Sequence, residues 1–383
     1  MNILIITNSF YPKFGGITHT LMNLNKFIKR SKHDLVIVNP YCSGKNIYGI
    51  LKLTQSKFPK IFTMPFDFLR NFINLSIFLN KMDFDIIMSG NSDWSLLVLV
   101  SILSKIFKKK LILMAHGNDF LIRHHLPINF SFKTFFFKKA DKIIISNKTM
   151  KKFIKEIHHL NENKLEIIHR AVNPIESQVK ESKEELRKKF EIPPDYFIIL
   201  SIGRHVPRKN FDFVIKAINK IKEIRPELKI RYYLMGSGPT TDNLKKLSEK
   251  LKLKKEVIFL GNLDTQKRNK FYKLSDLFVM PSIVEKNTIE GFGIVFIEAN
   301  FYKVPTIGTF SGGVVEAIEN GKTGFLIKTN DLDALVEKIV YFIEYESERQ
   351  KMGHYGYSRV MDEFTWNKII DQYINIFEQI IEN

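Results

Sequence analysis

Short apolar, β-branched runs alternate with helical periodicities along the whole chain, and this alternation restricts the fold to parallel sheets joined by crossover helices. In the first half the runs are Ile3 to Thr7, Leu35 to Val38, Ile86 to Met88, Leu111 to Ala115, Ile143 to Ser146 and Leu165 to Ile168. In the second they are Phe197 to Ile202, Ile230 to Met235, Val257 to Leu260, Leu277 to Met280, Thr306 to Gly308 and Phe325 to Ile327. Two sets of six predict an α/β protein of two doubly wound, Rossmann-like domains facing each other across a cleft. Such sheets bind ligands at the carboxyl ends of their strands, so the cleft is where a ligand is expected.

Ile17, Leu21, Leu24 and Ile28 share one helical face, as do Val214, Ile218 and Ile221, and both stripes read as core packing. Pro174 followed by the polar run Glu176-Ser177-Gln178 marks the boundary, giving a first domain over residues 1–175 and a second over 176–365. The final helix carries Trp366, Ile369, Ile370, Tyr373, Phe377 and Ile380 on one stripe. That is more apolar surface than a terminal helix needs, so residues 366–383 are expected to pack back onto the first domain.

Net charge is +19, and its placement says more than its size: residues 1–175 hold 26 Lys and Arg against 10 Asp and Glu, the remainder 33 against 30. The excess in the first half points to an anionic partner, whether membrane lipid, a phosphorylated acceptor or nucleic acid. Cys42 stands alone, so no intrachain disulfide calls for an oxidising compartment. The start, MNILIITNSFYP, reads as a strand rather than a signal peptide, and the longest apolar run, Trp94 to Leu103, is about half of the roughly 20 residues a spanning helix needs. A cytoplasmic address is expected.

The segment Glu290 to Glu298, EGFGIVFIE, follows a strand ending at Pro281-Ser282. Gly291 and Gly293 permit a tight turn with unobstructed amides, and a helix beginning near Gly293 aims its free N–H groups forward, which makes an anion site. Glu290 stands at its mouth; Glu298, further along the helix, can accept from neutral hydroxyls. Helix capping by Glu290 and a solvated Glu298 explain the same residues equally well, and the second cluster decides. In SIGRHVPRKNFD, Arg204 and Lys209 follow one strand and precede a helix, at the ligand-binding edge of the sheet. A guanidinium beside an ammonium can neutralise a leaving diphosphate without a metal. Arg208 is expected to be solvated.

EGFGIVFIEAN, with SIGRHVPRKNFD, LMGSGP, VIFLGNLD, LFVMPS and VPTIGTFSGGVVEAIENGKTGFLI, resembles the family-4 retaining glycosyltransferases, as do FGGITHTLMNL and MAHGND in the first half. The resemblance covers essentially the whole chain. It implies a two-Rossmann-domain (GT-B) enzyme that moves a sugar from a nucleoside diphosphate to an acceptor, with retention and without metal or cofactor. It places Glu290 against the sugar hydroxyls and Glu298 on the ribose. Arg204 and Lys209 become the diphosphate clamp, the amides of Phe292, Gly293 and Ile294 contact sugar and phosphate oxygens, and Gly15 and Gly16 close the donor site. His116 lies beside the anomeric carbon, with Asp119 a weaker candidate. Ala171-Val172-Asn173 departs from the family's Gly-Val-Asp, so Asn173 receives no role.

Several motifs are decoys. Asp83-Phe84-Asp85 precedes its strand and reads as a polar lead-in rather than a metal pair; Asp331 and Asp333 read as a helix start. Gly321-Lys322-Thr323 lacks the earlier glycine of a phosphate loop, and Gly236-Ser237-Gly238 lacks the third glycine of a dinucleotide site. A nucleic-acid-binding protein leaves the paired acids and the clamp unexplained, so no nucleic-acid partner is expected; a glycoside phosphorylase of the same fold remains the alternative. The acceptor is expected to be a glycan carried on lipid. Peripheral docking on the inner, anionic face of a membrane is expected through the basic stretch from Lys105 to Lys152, with Phe130, Phe132, Phe135, Phe136 and Phe137 interleaved.

Overall fold

Runs buried on both faces pair in parallel and are covered by helices: every residue of Ile86–Ser89 and of Phe197–Ile202 is buried. The computed structural model describes residues 1–10, 16–40, 50–52, 60–116, 127–285 and 288–382, with the side chains of 50–52, 60–67 and 127–132 left aside. Two compact units emerge: Met1–Arg170 with Trp366–Asn383, and Ala171–Thr365.

The first unit contains β1 (Asn2–Ile6), β2 (Asp34–Asn39), β3 (Ile50–Lys52), β4 (Ile86–Ser89), β5 (Lys110–Ala115), β6 (Lys142–Ile145) and β7 (Leu165–Ile167). They form one parallel sheet in the order β3-β2-β1-β4-β5-β6-β7. β3 was not expected, because three residues are too few to display a strand's alternation. Asp85 accepts from the Asn2 amide at 2.8 Å and Asp83 pairs with Lys109 at 2.7 Å, so both acids serve the strand starts. The helix Trp366–Glu382 belongs to this unit and stacks Trp366 on Phe27, ring centroids 5.9 Å apart.

The second unit contains β8 (Phe197–Ile202), β9 (Ile230–Met235), β10 (Val257–Gly261), β11 (Leu277–Val279), β12 (Thr306–Thr309) and β13 (Gly324–Ile327), in the order β10-β9-β8-β11-β12-β13. A capping box opens its first helix, with Glu185 N donating to Ser182 Oγ at 3.1 Å and Ser182 N to Glu185 at 2.6 Å. Asp331 caps the helix Leu332–Glu344 through the Ala334 amide at 3.0 Å. The two ends of this unit meet: Val172 N donates to Phe364 O at 2.8 Å, and Val172 bridges Thr365.

Each sheet reverses its direction of travel once, between β1 and β4 in the first and between β8 and β11 in the second. At such a switch point the helices diverge to opposite faces and leave a crevice at the strand ends.

Candidate functional site

In the second unit three strands deliver the site. After β8 the chain turns through Pro207–Lys209, which Asn210 closes in the left-handed conformation (φ 57°), and this turn sends Lys209 inward. Its ammonium is buried and donates to Glu290 Oε2 at 2.6 Å, with Met280 Sδ at 3.2 Å. Arg208 donates to the same carboxylate oxygen at 2.6 Å. The expectation that Arg208 is solvated is therefore corrected: the turn that buries Lys209 also folds its neighbour onto Glu290. Arg204 is exposed, and among the described residues its side chain has no ion pair.

Glu290 lies beyond β11 and is held at both ends. Its carbonyl accepts from Gly313 N at 2.9 Å, in the turn after β12, where Gly312 has φ +55° and a Cβ would sit 2.5 Å from that carbonyl. Only glycine fits there. Burial alone would raise the Glu290 carboxyl, but Lys209 and Arg208 outweigh it and hold it below the usual carboxylate range. Burial in turn lowers Lys209, against the opposing pull of Glu290.

The helix Ile294–Phe301 starts at Gly293, whose φ of 78° and approach to Phe296 exclude a side chain. No side chain caps this end, so the first-turn amides face outward with the positive end of the helix dipole. The Phe292 ring is buried against Phe364 at 5.6 Å, which leaves its backbone for any ligand role. Glu298 is buried and accepts from Tyr272 Oη at 2.8 Å, with Arg268 at 3.5 Å. A neutral hydroxyl does reach this carboxylate, and it is the protein's own.

The Gly236-Ser237-Gly238 segment supports this site. A Cβ at Gly236 or Gly238 would strike the backbone of Gly203 or His205, so the glycines let two loops press together behind Arg204. His205 is buried there, donating to or accepting from Thr241 Oγ1 at 2.9 Å.

In the first unit the ends of β1, β4 and β5 gather a polar cluster around the predicted His116, whose other members sequence reasoning missed. Thr7 Oγ1 donates to Asn91 Oδ1 at 3.0 Å, and Asn91 Nδ2 to Asn8 Oδ1 at 2.8 Å. His116 Nε2 lies 2.7 Å from Gly90 O, and Arg170 Nη2 lies 2.6 Å from His116 Nδ1. Burial first, then the Arg170 charge, holds His116 well below its usual pKa. Arg170 also donates to Thr20, tying the end of the unit to the helix Gly16–Ile28. No motif announces Arg170. A Cβ at Gly16 would meet nothing within 4 Å, so packing does not explain that glycine. Gly15 and Asp119 lie outside the described residues.

The basic stretch is only partly a surface. Phe136, Phe137 and Lys133 are buried, and Lys109 and Lys142 are paired with Asp83 and Glu166. Phe136 and Phe137 are thus core residues, not lipid anchors, and the Phe137 ring packs edge-on against His158 at 4.8 Å. Phe135 is exposed, and the side chains of Phe130 and Phe132 lie outside the described residues.

Two family models match the chain: residues 14–176 fit Glycosyltransferase Family 4 and residues 182–359 fit Glycosyl transferases group 1. An uncharacterized glycosyltransferase of Methanocaldococcus jannaschii is 27% identical over 244 residues, 63% of this chain and 60% of that one. A GDP-mannose-dependent monoacylated phosphatidylinositol monomannoside mannosyltransferase of Corynebacterium glutamicum is 30% identical over 200 residues, 52% of this chain and 51% of that one. The matches thus span less than two thirds of either relative's length. Among solved structures, Anabaena HepE in complex with UDP superposes with a TM-score of 0.81 at 18% identity, covering 99% of this chain and 100% of that one. At that identity the likeness speaks for the fold.

Proposed function

The chain belongs to the family-4 glycosyltransferases, of GT-B fold, and on that premise we propose that it transfers a sugar, with retention, from a nucleoside diphosphate to a lipid-linked glycan acceptor. The observation that carries the reading is the buried Glu290 carboxylate, fixed by Lys209 and Arg208 at a switch point and beside an uncapped helix start. A site built for a neutral ligand has no need of two cations converging on one buried acid. An ammonium has three donors, so Lys209 can keep Glu290 and still reach a phosphate oxygen.

In this reading the diphosphate is held by Arg204, Lys209 and the amides of Gly293 and Ile294, and its charge is stabilised as it leaves. Arg208 keeps Glu290 ionised and oriented towards the sugar, where positive charge develops. Glu298, released from Tyr272 or sharing it, takes the ribose hydroxyls. His116 serves through its position and backbone, since its ring nitrogens are engaged. The departing phosphate accepts the acceptor's proton on the face it leaves. The cations supply the charge a metal would bring, so activity is proposed to survive a chelator.

The UDP bound by HepE and the GDP-mannose of the Corynebacterium enzyme support a nucleotide-sugar donor, and the phosphatidylinositol acceptor of the latter supports a lipid-borne one. Peripheral association with a membrane's inner face belongs to the same reading. The test is a screen of UDP- and GDP-sugars for thermal stabilisation, followed by transfer with the hit and determination of the product's anomeric configuration by NMR. A bound donor raises the melting temperature by mass action. Absence of stabilisation by every nucleotide sugar, or an inverted product, would overturn it; release of sugar 1-phosphate on adding phosphate would favour a phosphorylase.

A further inference from the structure

We propose that the outer face of the helical layer on the first unit, formed by the helices Lys60–Lys81, Trp94–Ile106 and Pro127–Lys139, docks on an anionic lipid surface. The proposal deepens the lipid-acceptor reading above and rests on it for its purpose, though not for its physics. The three helices pack side by side, the middle one touching both others. In Lys60–Lys81, Asn71, Leu75 and Leu79 are buried, and the opposite positions hold Leu69, Ile73 and Ile77. In Trp94–Ile106, Leu96, Val100 and Leu103 are buried, and the outward ladder is Trp94, Ile102 and Ile106. Leu69 is 55% exposed and Ile106 57%.

A surface helix ordinarily carries charge on its outward stripe; these two carry apolar side chains, Leu69, Ile73 and Ile77 at i, i+4 and i+8, and Trp94, Ile102 and Ile106 at i, i+8 and i+12. Exposed apolar residues scattered singly need no explanation, but two adjacent ladders make a contiguous patch, which marks an interaction site. The helix Trp94–Ile106 has Lys105 as its one charged residue.

The charge at the rim identifies the occupant. Crossover helices run antiparallel to their parallel strands, so all three end at the strand-start edge of the sheet. There Lys81, Lys105, Lys108, Lys138 and Lys139 are exposed, and among the described residues none of the five is in an ion pair. Asp83, Asp85 and Asp141 share this edge, but they are engaged by Lys109 and by the amides of Asn2 and Leu111, so the edge stays net positive. An apolar face with a basic edge fits a lipid surface, where the side chains enter the acyl boundary and the lysines meet the headgroups. A two-fold contact with a second copy through this face would, with the helices parallel, set lysine against lysine, and a solution dimer is the competing outcome of the test.

Trp94 makes the face observable. It is one of two tryptophans, and the other, Trp366, is buried. The full chain is mixed with vesicles of phosphatidylcholine alone or with phosphatidylglycerol, both with brominated acyl chains. Trp94 fluorescence should be quenched on the anionic vesicles, and Trp94→Phe should abolish the quenching. The quadruple variant Ile73→Gln, Ile77→Gln, Ile102→Gln, Ile106→Gln should partition at least about tenfold less, as should neutralisation of the five lysines, with the melting temperature of the chain reporting that each still folds. No quenching, equal partitioning of the variants, or a solution dimer broken by these substitutions would overturn the proposal. Stabilisation by nucleotide sugars is measured without vesicles, so failure of the donor reading and failure of the docking face are told apart.

Discussion

Arg170 donates from Nη2 to Nδ1 of His116 across 2.6 Å, and this fixes where the imidazole keeps its proton. A guanidinium cannot accept, so Nδ1 is the acceptor and Nε2–H points at the Gly90 carbonyl, 2.7 Å away. The ring is neutral in that arrangement. A protonated ring would set Nδ1–H against the Arg170 N–H, two donors face to face with no acceptor between them.

His116 should accordingly show no titration near the ordinary histidine value of 6.5 when followed by NMR, and Arg170→Gln should move its pKa upward. The sign for stability follows. The unfolded chain binds a proton at His116 below 6.5 and the folded one resists it, so this contribution to stability is lost as pH falls from that value. A His116 that titrates normally in the wild type would refute the pairing.

Arg204→Ala and Lys209→Ala should separate catalysis from folding. On the proposed clamp, both remove a cation from the departing diphosphate and should lower turnover about 100- to 1,000-fold, the effect of losing one donor to developing negative charge. Arg204 is exposed, so its variant should melt as the wild type does. Lys209 is buried on Glu290, and Lys209→Ala should lower the melting temperature as well, because it strips a partner from a buried carboxylate. Steady-state kinetics beside thermal melts decide this; near-normal turnover in both variants would remove the clamp.

Glu290→Gln should lower kcat more than it raises KM, and it should change the acid limb of stability. The folded carboxyl lies below its ordinary 4.5, so its ion pairs stabilise the wild type above that value and are lost as pH falls through the folded one. The Gln variant has no such term. Melting temperatures from pH 3 to 7, on the order of the carboxylate range, should converge at the acid end; parallel curves would mean that Glu290 does not titrate as described.

Glu298→Gln should raise KM for the donor with little change in kcat, since a grip on ribose acts equally in ground and transition states. Tyr272→Phe tests whether its hydroxyl, 2.8 Å from Glu298, competes with that ligand or helps to hold the acid in place. Tighter donor binding in Tyr272→Phe would indicate competition; weaker binding, not compounded by Glu298→Gln in a double-mutant cycle, would indicate support.

Runs such as Ile86–Ser89 and Phe197–Ile202 are legible in the sequence because burial on both faces leaves them continuously apolar. Ile50–Lys52 is not, being held by its neighbour β2 rather than by any pattern of its own. The Glu290, Lys209 and Gly293 positions could be picked out from local chemistry. That Arg208 folds onto the same acid as Lys209 could not, because it depends on the left-handed Asn210 and on a carboxylate 82 positions away. Arg170 was invisible for the same reason: its partners Thr20 and His116 are 150 and 54 positions distant.

The meeting of Val172 with Phe364 and Thr365 has a consequence for how such chains can be rebuilt. The second unit is one uninterrupted stretch whose two ends are neighbours, so in genetic terms it is a cassette. Exchanging it for the corresponding stretch of another such chain alters two peptide junctions, at Arg170/Ala171 and Thr365/Trp366, a hydrogen bond's length apart from one another's neighbours. The return helix, with Trp366 on Phe27, stays with the recipient. On the proposed assignment of the donor to the second unit and the acceptor to the first, donor preference can then be inherited separately from acceptor preference, by recombination in a lineage or by splicing at the bench.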